Sequence, residues 1–445
     1  MKKLIFCVLS VLLFGPVLRA ESTGEILTFP ANAKKGFHWG YALYLPRAVN
    51  KSKKLPILFE MNNVGITSTE KEAEERTLHE LRNNSFVYQI PDGLGVPMLM
   101  PLVQRENRGD PILYTHDLNR AVFISQEEKL KRLDLQVLHM IKDARKQLKK
   151  HGIRTTKKVL VAGYSASGDF CWRWTMLHPE QVLASACGGQ HYPMLPLETV
   201  GDINLIYPVG VGDLKKLTGK KFNKRAWSKV PIFSYEGGAD INDPLPYNDC
   251  YSPKVEKPVL QRVLSEETTL ARVQHAYRLI REQAPNVQTH IYPNREHEAM
   301  TADMIAFLKK HLNGGPLKSI SLTDTSNEPS IIPVKVSELF WGYDAPAACE
   351  REHLLSTDLI MQSTYVPRGV NCSVNVLHGG KLVLEKPQDR CFGWTGNRKG
   401  DNYIQIHFSD EELAKLRSYK DRTFSVRSHH PEILEIPENL TFTVK

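Results

Sequence analysis

The sequence predicts an α/β protein: a mostly parallel sheet covered by helices on both faces, followed by a smaller β-rich region. Three observations carry this. Between Leu55 and His311 strand-like runs alternate with helical patterns, the order of βαβ units. The strand-like runs, such as Lys158–Gly163, are short and apolar, as in sheets buried on both faces. Beyond Gly314-Gly315-Pro316 the alternation stops, and short β-favouring runs follow.

The elements follow in order. Glu25–Pro30 and Phe37–Pro46 are short, aromatic and partly alternating, and read as two early strands. Leu55–Phe59 is a brief apolar strand running into the polar loop Glu60-Met61-Asn62-Asn63-Val64-Gly65, and Val96–Pro101 is a buried strand stopped by proline. Ser125 with Glu128 forms a capping-box signature, and Leu130, Leu133, Val137, Leu138, Ile141 and Leu148 follow at helical spacing before Gly152. Strand Lys158–Gly163, a helix over Asp169–His178, and strands Ala184–Cys187 and Val230–Tyr235 come next. A helix over Thr268–Arg281, strand Val287–Tyr292 and a helix over Ala299–His311 complete the alternation. In the last region Ile331–Val336, Ser373–Leu377 and Asn402–Phe408 read as strands and Glu411–Lys420 as a helix, a pattern that suits a small sandwich. The expected organisation is residues 1–20, 21–315 and 316–445, with no internal repeat.

The first of these segments reads as a secretory leader. Lys2 and Lys3 precede an apolar run from Leu4 to Leu13, and the segment ends in Leu18-Arg19-Ala20. The run is too short to span a bilayer comfortably, and Cys7 lies within it rather than after a cleavage site, which disfavours a lipid anchor. The expectation is a secreted or periplasmic protein without stable membrane insertion. Losing Lys2, Lys3 and Arg19 lowers the formal charge from +9 to +6. That excess is spread along the chain, and clusters such as Lys215-Lys216 and Lys220-Lys221 read as a solvated face, so no nucleic-acid partner is expected. Six cysteines remain after Cys7: Cys171, Cys187, Cys250, Cys349, Cys372 and Cys391. An exported chain permits disulfides among them, in any of fifteen full pairings. No Cys/His spacing resembles a zinc site, and no metal is expected.

The chemistry centres on Gly163-Tyr164-Ser165-Ala166-Ser167, which falls between an apolar strand and a helix. A serine hydroxyl becomes a useful nucleophile when a sharp turn exposes it to a base and to backbone N–H donors. Such a turn brings neighbouring chain close, so small residues are needed two places either side. Gly163 and Ser167 meet that need around Ser165, whereas a nucleophile at Ser167 would put Asp169 in the second small position. Ser165 is the better candidate.

The order Ser, acid, His, with the serine in an elbow after a central strand, resembles the α/β-hydrolase superfamily. Gly163-Tyr164-Ser165-Ala166-Ser167-Gly168 with His178-Pro179-Glu180 downstream is similar to its polyhydroxyalkanoate-depolymerase and feruloyl-esterase-like branch. The likeness covers roughly Glu25 to Leu312 and departs from the common elbow by placing Ser167 where a glycine is usual. It implies an α/β-hydrolase fold with an acid after a late strand. Strand Val230–Tyr235 leads into Glu236-Gly237-Gly238-Ala239-Asp240-Ile241-Asn242-Asp243, whose glycine turn before Asp240 resembles the family's acid loop. Asp243, a good turn-former before Pro244, is the rival, and Asp249 a third choice. His297, in the loop between strand Val287–Tyr292 and the last helix, has the position and order of the base, unlike His178, His275, His290 and His311. The oxyanion hole would use the N–H of Ala166 and one from the Met61-Asn62-Asn63 stretch, with Asn62 as first choice, where many relatives carry a His-Gly pair.

Tyr164 and the Gly188-Gly189-Gln190-His191-Tyr192 loop are expected at the pocket, with Gln190 and His191 as candidate contacts. Trp172 and Trp174 read as core. The long segment Leu195–Ala226 has the length of a lid or cap insert. The expected reaction is hydrolysis of a carboxylic ester, in a small molecule or released from a polymer, through an acyl-serine, with no cofactor. The alternatives are a prolyl-oligopeptidase-like serine peptidase and a non-catalytic exported binding protein on the same fold.

Overall fold

The computed structural model describes residues 24–105, 115–190, 192–240, 242, 245, 251–264, 268–293, 295–322, 334–341, 358–363, 374–386, 391–395, 402–428 and 434–444. The leader at residues 1–20, His191, Asp243, Asp249, Cys250, Cys349 and Cys372 lie outside the described residues.

Eight strands form the main sheet: β1 (Glu25–Phe29), β2 (Tyr41–Leu45), β3 (Leu58–Phe59), β4 (Met98–Pro101), β5 (Val159–Tyr164), β6 (Val182–Gly188), β7 (Ile232–Gly237) and β8 (Val287–Tyr292). Their spatial order is β1-β2-β4-β3-β5-β6-β7-β8. The β1–β2 and β2–β4 pairs are antiparallel, and every later pair is parallel. This is the mostly parallel, helix-covered sheet of the α/β-hydrolase fold.

Helices α1 (Glu70–Asn83), α2 (Ser85–Leu94), α3 (Leu133–Lys150), α4 (Ala166–Leu177), α5 (Glu256–Leu264), α6 (Thr269–Gln283) and α7 (Thr301–Lys310) cover it. Strand alternation divides the apolar side chains between two cores. Val159 and Val161 of β5 join Met140, Phe170, Trp172, Trp174 and Tyr277 from α3, α4 and α6. Leu160, Ala162 and Tyr164 join Val87, Ile90, Met304, Phe307 and Leu308 from α2 and α7. Trp172 and Trp174 are fully buried, as expected of core residues. Among the described residues no helix is long and apolar enough to cross a membrane.

The capping box expected at Ser125 is not the start of the long helix, which begins eight residues later at Leu133. Ser125 Oγ instead accepts from Glu127 N, and the backbone passes through a left-handed Arg132 (φ 50°) before the helix opens. The carbonyls that a helix would have used internally are taken by tertiary partners: Lys129 O by Trp39 Nε1, and Glu128, Lys129 and Lys131 O by Gln136 Nε2. Helices α1 and α2 were not read from the sequence. The first is polar along most of its length, although Thr69 accepting from Glu72 N is a cap the sequence could have signalled. The second carries Pro91, a residue that normally argues against a helix.

The segment 195–226 is not a loose insert. It forms a small hairpin (Thr199–Val200 with Ile203–Asn204) and two short helices, and Leu205, Tyr207, Val209, Val211 and Leu214 join the core behind β5.

The β-rich region contains two sheets. One runs β13 (Cys391–Thr395), β14 (Asn402–Ile406), β10 (Leu359–Ser363), β9 (Val334–Trp341), β16 (Leu434–Glu435) in spatial order. The other runs β12 (Lys381–Lys386), β11 (Val374–His378), β15 (Thr423–Ser428), β17 (Thr441–Thr443). Met361 and Ile404 from the first sheet and Val376 and Phe424 from the second share one apolar cluster with Leu413 and Leu416 of α8 (Asp410–Arg417). That is the interior of a two-layer sandwich.

Candidate active site

At the end of β5 the chain turns through Ser165 at φ 60° and ψ −133°, a region that side-chain-bearing residues rarely occupy. The turn is held by Ser165 N donating to Gly188 O (2.9 Å) and by α4 starting at the next residue. A Cβ on Gly163 would stand 2.4 Å from Ser167 O, which is the steric reason for a glycine there. Ser167 itself is fully buried: its Oγ donates to Tyr164 O (2.8 Å) and accepts from Tyr164 N (2.9 Å). Its hydroxyl braces the elbow and points away from solvent, whereas Ser165 is partly exposed.

Ser165 Oγ lies 3.0 Å from His297 Nε2, and His297 Nδ1 lies 2.6 Å from Asp240 Oδ2. The second oxygen of Asp240 accepts from Asn242 N (2.8 Å). An ionised carboxylate only accepts, so Nδ1 carries the ring proton and Nε2 offers its lone pair to the serine hydroxyl. Asp240 is 1% exposed by side chain and His297 26%, so the carboxylate is shielded while the imidazole is partly open to solvent.

The loops carrying these groups are zipped together by backbone. Gly238 N donates to Tyr292 O (2.8 Å) and Ala239 N to Arg295 O (2.9 Å). A Cβ on Gly237 would meet Glu296 O at 2.3 Å, so only glycine lets the end of β7 approach the His297 loop this closely. Tyr164 packs its ring 4.8 Å from that of His297 and is itself edge-on to Phe86. At 7% exposure it is a wall behind the imidazole more than a pocket surface. Gln190 is also buried, its Oε1 accepting from Ser234 Oγ (2.9 Å).

The loop after β3 is anchored through side chains. Asn62 Nδ2 donates to Pro101 O (2.8 Å) and Val103 O (3.0 Å), while Asn63 Nδ2 donates to Tyr164 O (3.1 Å). His116 Nε2 meets the same Val103 O at 3.0 Å. Burial pushes the His116 imidazole down to about 4, with the Arg105 charge adding and bonds to the Val103 and Val64 backbone opposing, so it stays neutral. Ala166 opens α4, and the first N–H groups of a helix have no intrahelical acceptor. The Asn63–Tyr164 bond therefore ties the loop of one proposed oxyanion donor to the elbow that carries the other.

Behind the elbow, Arg173 is fully buried between Asp117 (3.0 Å) and Asp169 (3.2 Å). Burial pushes Asp169 up to about 8, with the Asp117 charge adding and Arg173 opposing. Cys171 and Cys187 are free buried thiols, and burial raises both, Cys187 to about 12. Neither belongs to a disulfide framework. Among the described residues, Glu236, Asp240 and His297 are the one group whose ligand atoms (all within 4.8 Å) could meet a metal ion. The side-chain roles of Asn63, Asn242 and Glu236 were not read from the sequence, because their partners lie far away along the chain or depend on a loop conformation.

No family model and no curated protein matches the sequence. Solved structures do match over about two thirds of the chain. Poly(aspartic acid) hydrolase-1 from Sphingomonas sp. KT-1 is 15% identical over 66% of this chain and 99% of its own, with a TM-score of 0.44. LpqC, a poly(3-hydroxybutyrate) depolymerase from Bordetella parapertussis, is 14% identical over 65% and 88%, with a TM-score of 0.42. A thermostable esterase from Pseudomonas putida ECU1011 is 13% identical over 66% and 84%, with a TM-score of 0.35. The sheet order and the strand–serine–helix elbow are those of the α/β-hydrolase fold.

Proposed function

We propose that this chain is an exported serine hydrolase that cleaves a carboxylic ester through an acyl-Ser165 intermediate, with His297 as general base and Asp240 as its acid. The observation that carries the reading is the hydrogen-bonded line from Ser165 Oγ through His297 to Asp240, set on a strained elbow. In this mechanism Ser165 Oγ attacks the ester carbonyl as its proton passes to His297 Nε2. Asp240 stays ionised, holds the Nδ1–H tautomer and stabilises the imidazolium. The N–H groups of Ala166 and Asn62 receive the developing oxyanion. The imidazolium then protonates the departing alcohol, and a water activated by the same nitrogen releases the acid. Export rests on the leader-like first twenty residues.

Short p-nitrophenyl esters and peptide p-nitroanilides test the reading on the purified protein. Hydrolysis of the esters, reduced by roughly four orders of magnitude or more in Ser165→Ala, is the expected result. Turnover of the anilides alone moves the reading to a peptidase, and turnover of neither by a folded sample removes the enzyme.

A further inference from the structure

The strand that delivers the acid loop carries a second carboxylate that the mechanism above does not use. Glu236 stands next to the end of β7 and is 1% exposed. Alternation along β7 puts Phe233 and Tyr235 in one core and Ile232 in the other, so Glu236 projects with Ile232 and Ser234. One carboxylate oxygen of Glu236, one of Asp240 and one ring nitrogen of His297 all lie within 4.8 Å of one another. The spacing is set by backbone, because the Gly237 contact and the Gly238–Tyr292 and Ala239–Arg295 bonds lock the two loops together.

Two shielded carboxylates thus face one imidazole across a few ångströms, and only the nearer one, Asp240, is hydrogen-bonded to it in this structure. Once the imidazole is charged, either carboxylate can stabilise it. We propose that Glu236 is a positioning residue that acts as a second acid for His297: it shares the stabilisation of the imidazolium with Asp240 and supplies the negative charge when that of Asp240 is removed. The proposal rests on the reading of Ser165, His297 and Asp240 as a catalytic triad. Glu236 acts through the imidazole and does not touch the ester.

The test compares Glu236→Gln, Asp240→Asn and the double variant in the full chain. Two quantities are read: p-nitrophenyl acetate hydrolysis, and the His297 titration followed by NMR of labelled histidine. Replacing the acid of an isolated triad by its amide costs roughly 10⁴-fold. Here Asp240→Asn loses only about 10- to 100-fold, and adding Glu236→Gln costs about 100-fold more, whereas Glu236→Gln alone costs less than about tenfold. In the Asp240→Asn background, Glu236→Gln lowers the His297 pKa by about one unit, because a charge beside the imidazolium is lost. A purely structural Glu236 would lower the melting temperature equally in both backgrounds and leave that titration where it was. The same fold-loss from Glu236→Gln in both backgrounds, or Asp240→Asn as inactive as the double variant, overturns the proposal. An inactive Ser165→Ala with an unmoved His297 titration removes this proposal alone; Ser165→Ala at the wild-type rate removes the triad and this proposal with it.

Discussion

Ser165 is held at φ 60° by Gly188 O and by the start of α4, and that strain belongs to the residue as much as to its chemistry. Backbone in such regions costs about 1–3 kcal/mol in a residue with a side chain. Glycine adopts it freely, so Ser165→Gly is expected to be more stable to urea than Ser165→Ala by about 1 kcal/mol, with hydrolysis absent from both. Ser167 has the opposite character. Its hydroxyl both gives and takes a hydrogen bond inside the elbow, and Ser167→Ala is expected to cost about 1–2 kcal/mol in urea denaturation while Ser165 keeps its activity. The distinction between the two serines was legible in the sequence because it rests on which neighbours are small. Asn63 and Asn242 were not legible, since each matters through one amide aimed across a loop. Asp243 lies outside the described residues, so its comparison with Asp240 stays with mutagenesis: Asp240→Asn is expected to cost more activity than Asp243→Asn.

At the scale of the element, α3 is fastened to α4 by one residue, Asp134. Asp134 is fully buried, bidentate to Arg132 (2.9 Å to each nitrogen) and 2.9 Å from His178 Nε2, and its backbone carbonyl accepts from Trp174 Nε1. Burial alone would raise its pKa, but the Arg132 and His178 partners outweigh it and hold the carboxylate below the usual range. A carboxylate whose folded pKa is depressed contributes its stability above the unfolded pKa and loses it as pH falls through the folded one. The contribution is therefore complete at neutral pH and disappears under strong acid. Asp134→Asn should lower stability to urea by about 3 kcal/mol at neutral pH, and by progressively less as the pH is taken down through the carboxylate range. None of this was visible in the periodicity of Leu133 to Leu148. The same cluster explains why the helix was expected too early: Arg132 turns left-handed to bring its guanidinium onto Asp134, and that turn separates Ser125 from the helix.

At the scale of the molecule, the sheet and helices α3, α4, α6 and α7 were readable because each of these later strands and its helix are close in sequence, whereas α1 and α2 were not. The β-rich region was readable in composition only. There β9 (Val334–Trp341) pairs with β16 (Leu434–Glu435) about a hundred residues away, and no local pattern specifies such a pairing. The boundary between the regions also has a structural signature. Ile320 is buried in the core of the main sheet, and its backbone exchanges two hydrogen bonds with the Gln288 side chain. A chain ending at residue 322 should therefore be more stable than one ending at 315 by about 2 kcal/mol, the worth of one buried aliphatic side chain, and calorimetry reads the difference. All of the proposed chemistry depends on one bond being made at Ser165. Incubating the folded protein with a fluorophosphonate probe and mapping the adduct by peptide mass measures that bond directly. The expected result is a single adduct on the peptide containing Ser165, lost in Ser165→Ala and in His297→Ala. An adduct on another serine, or none on a folded sample, would contradict it.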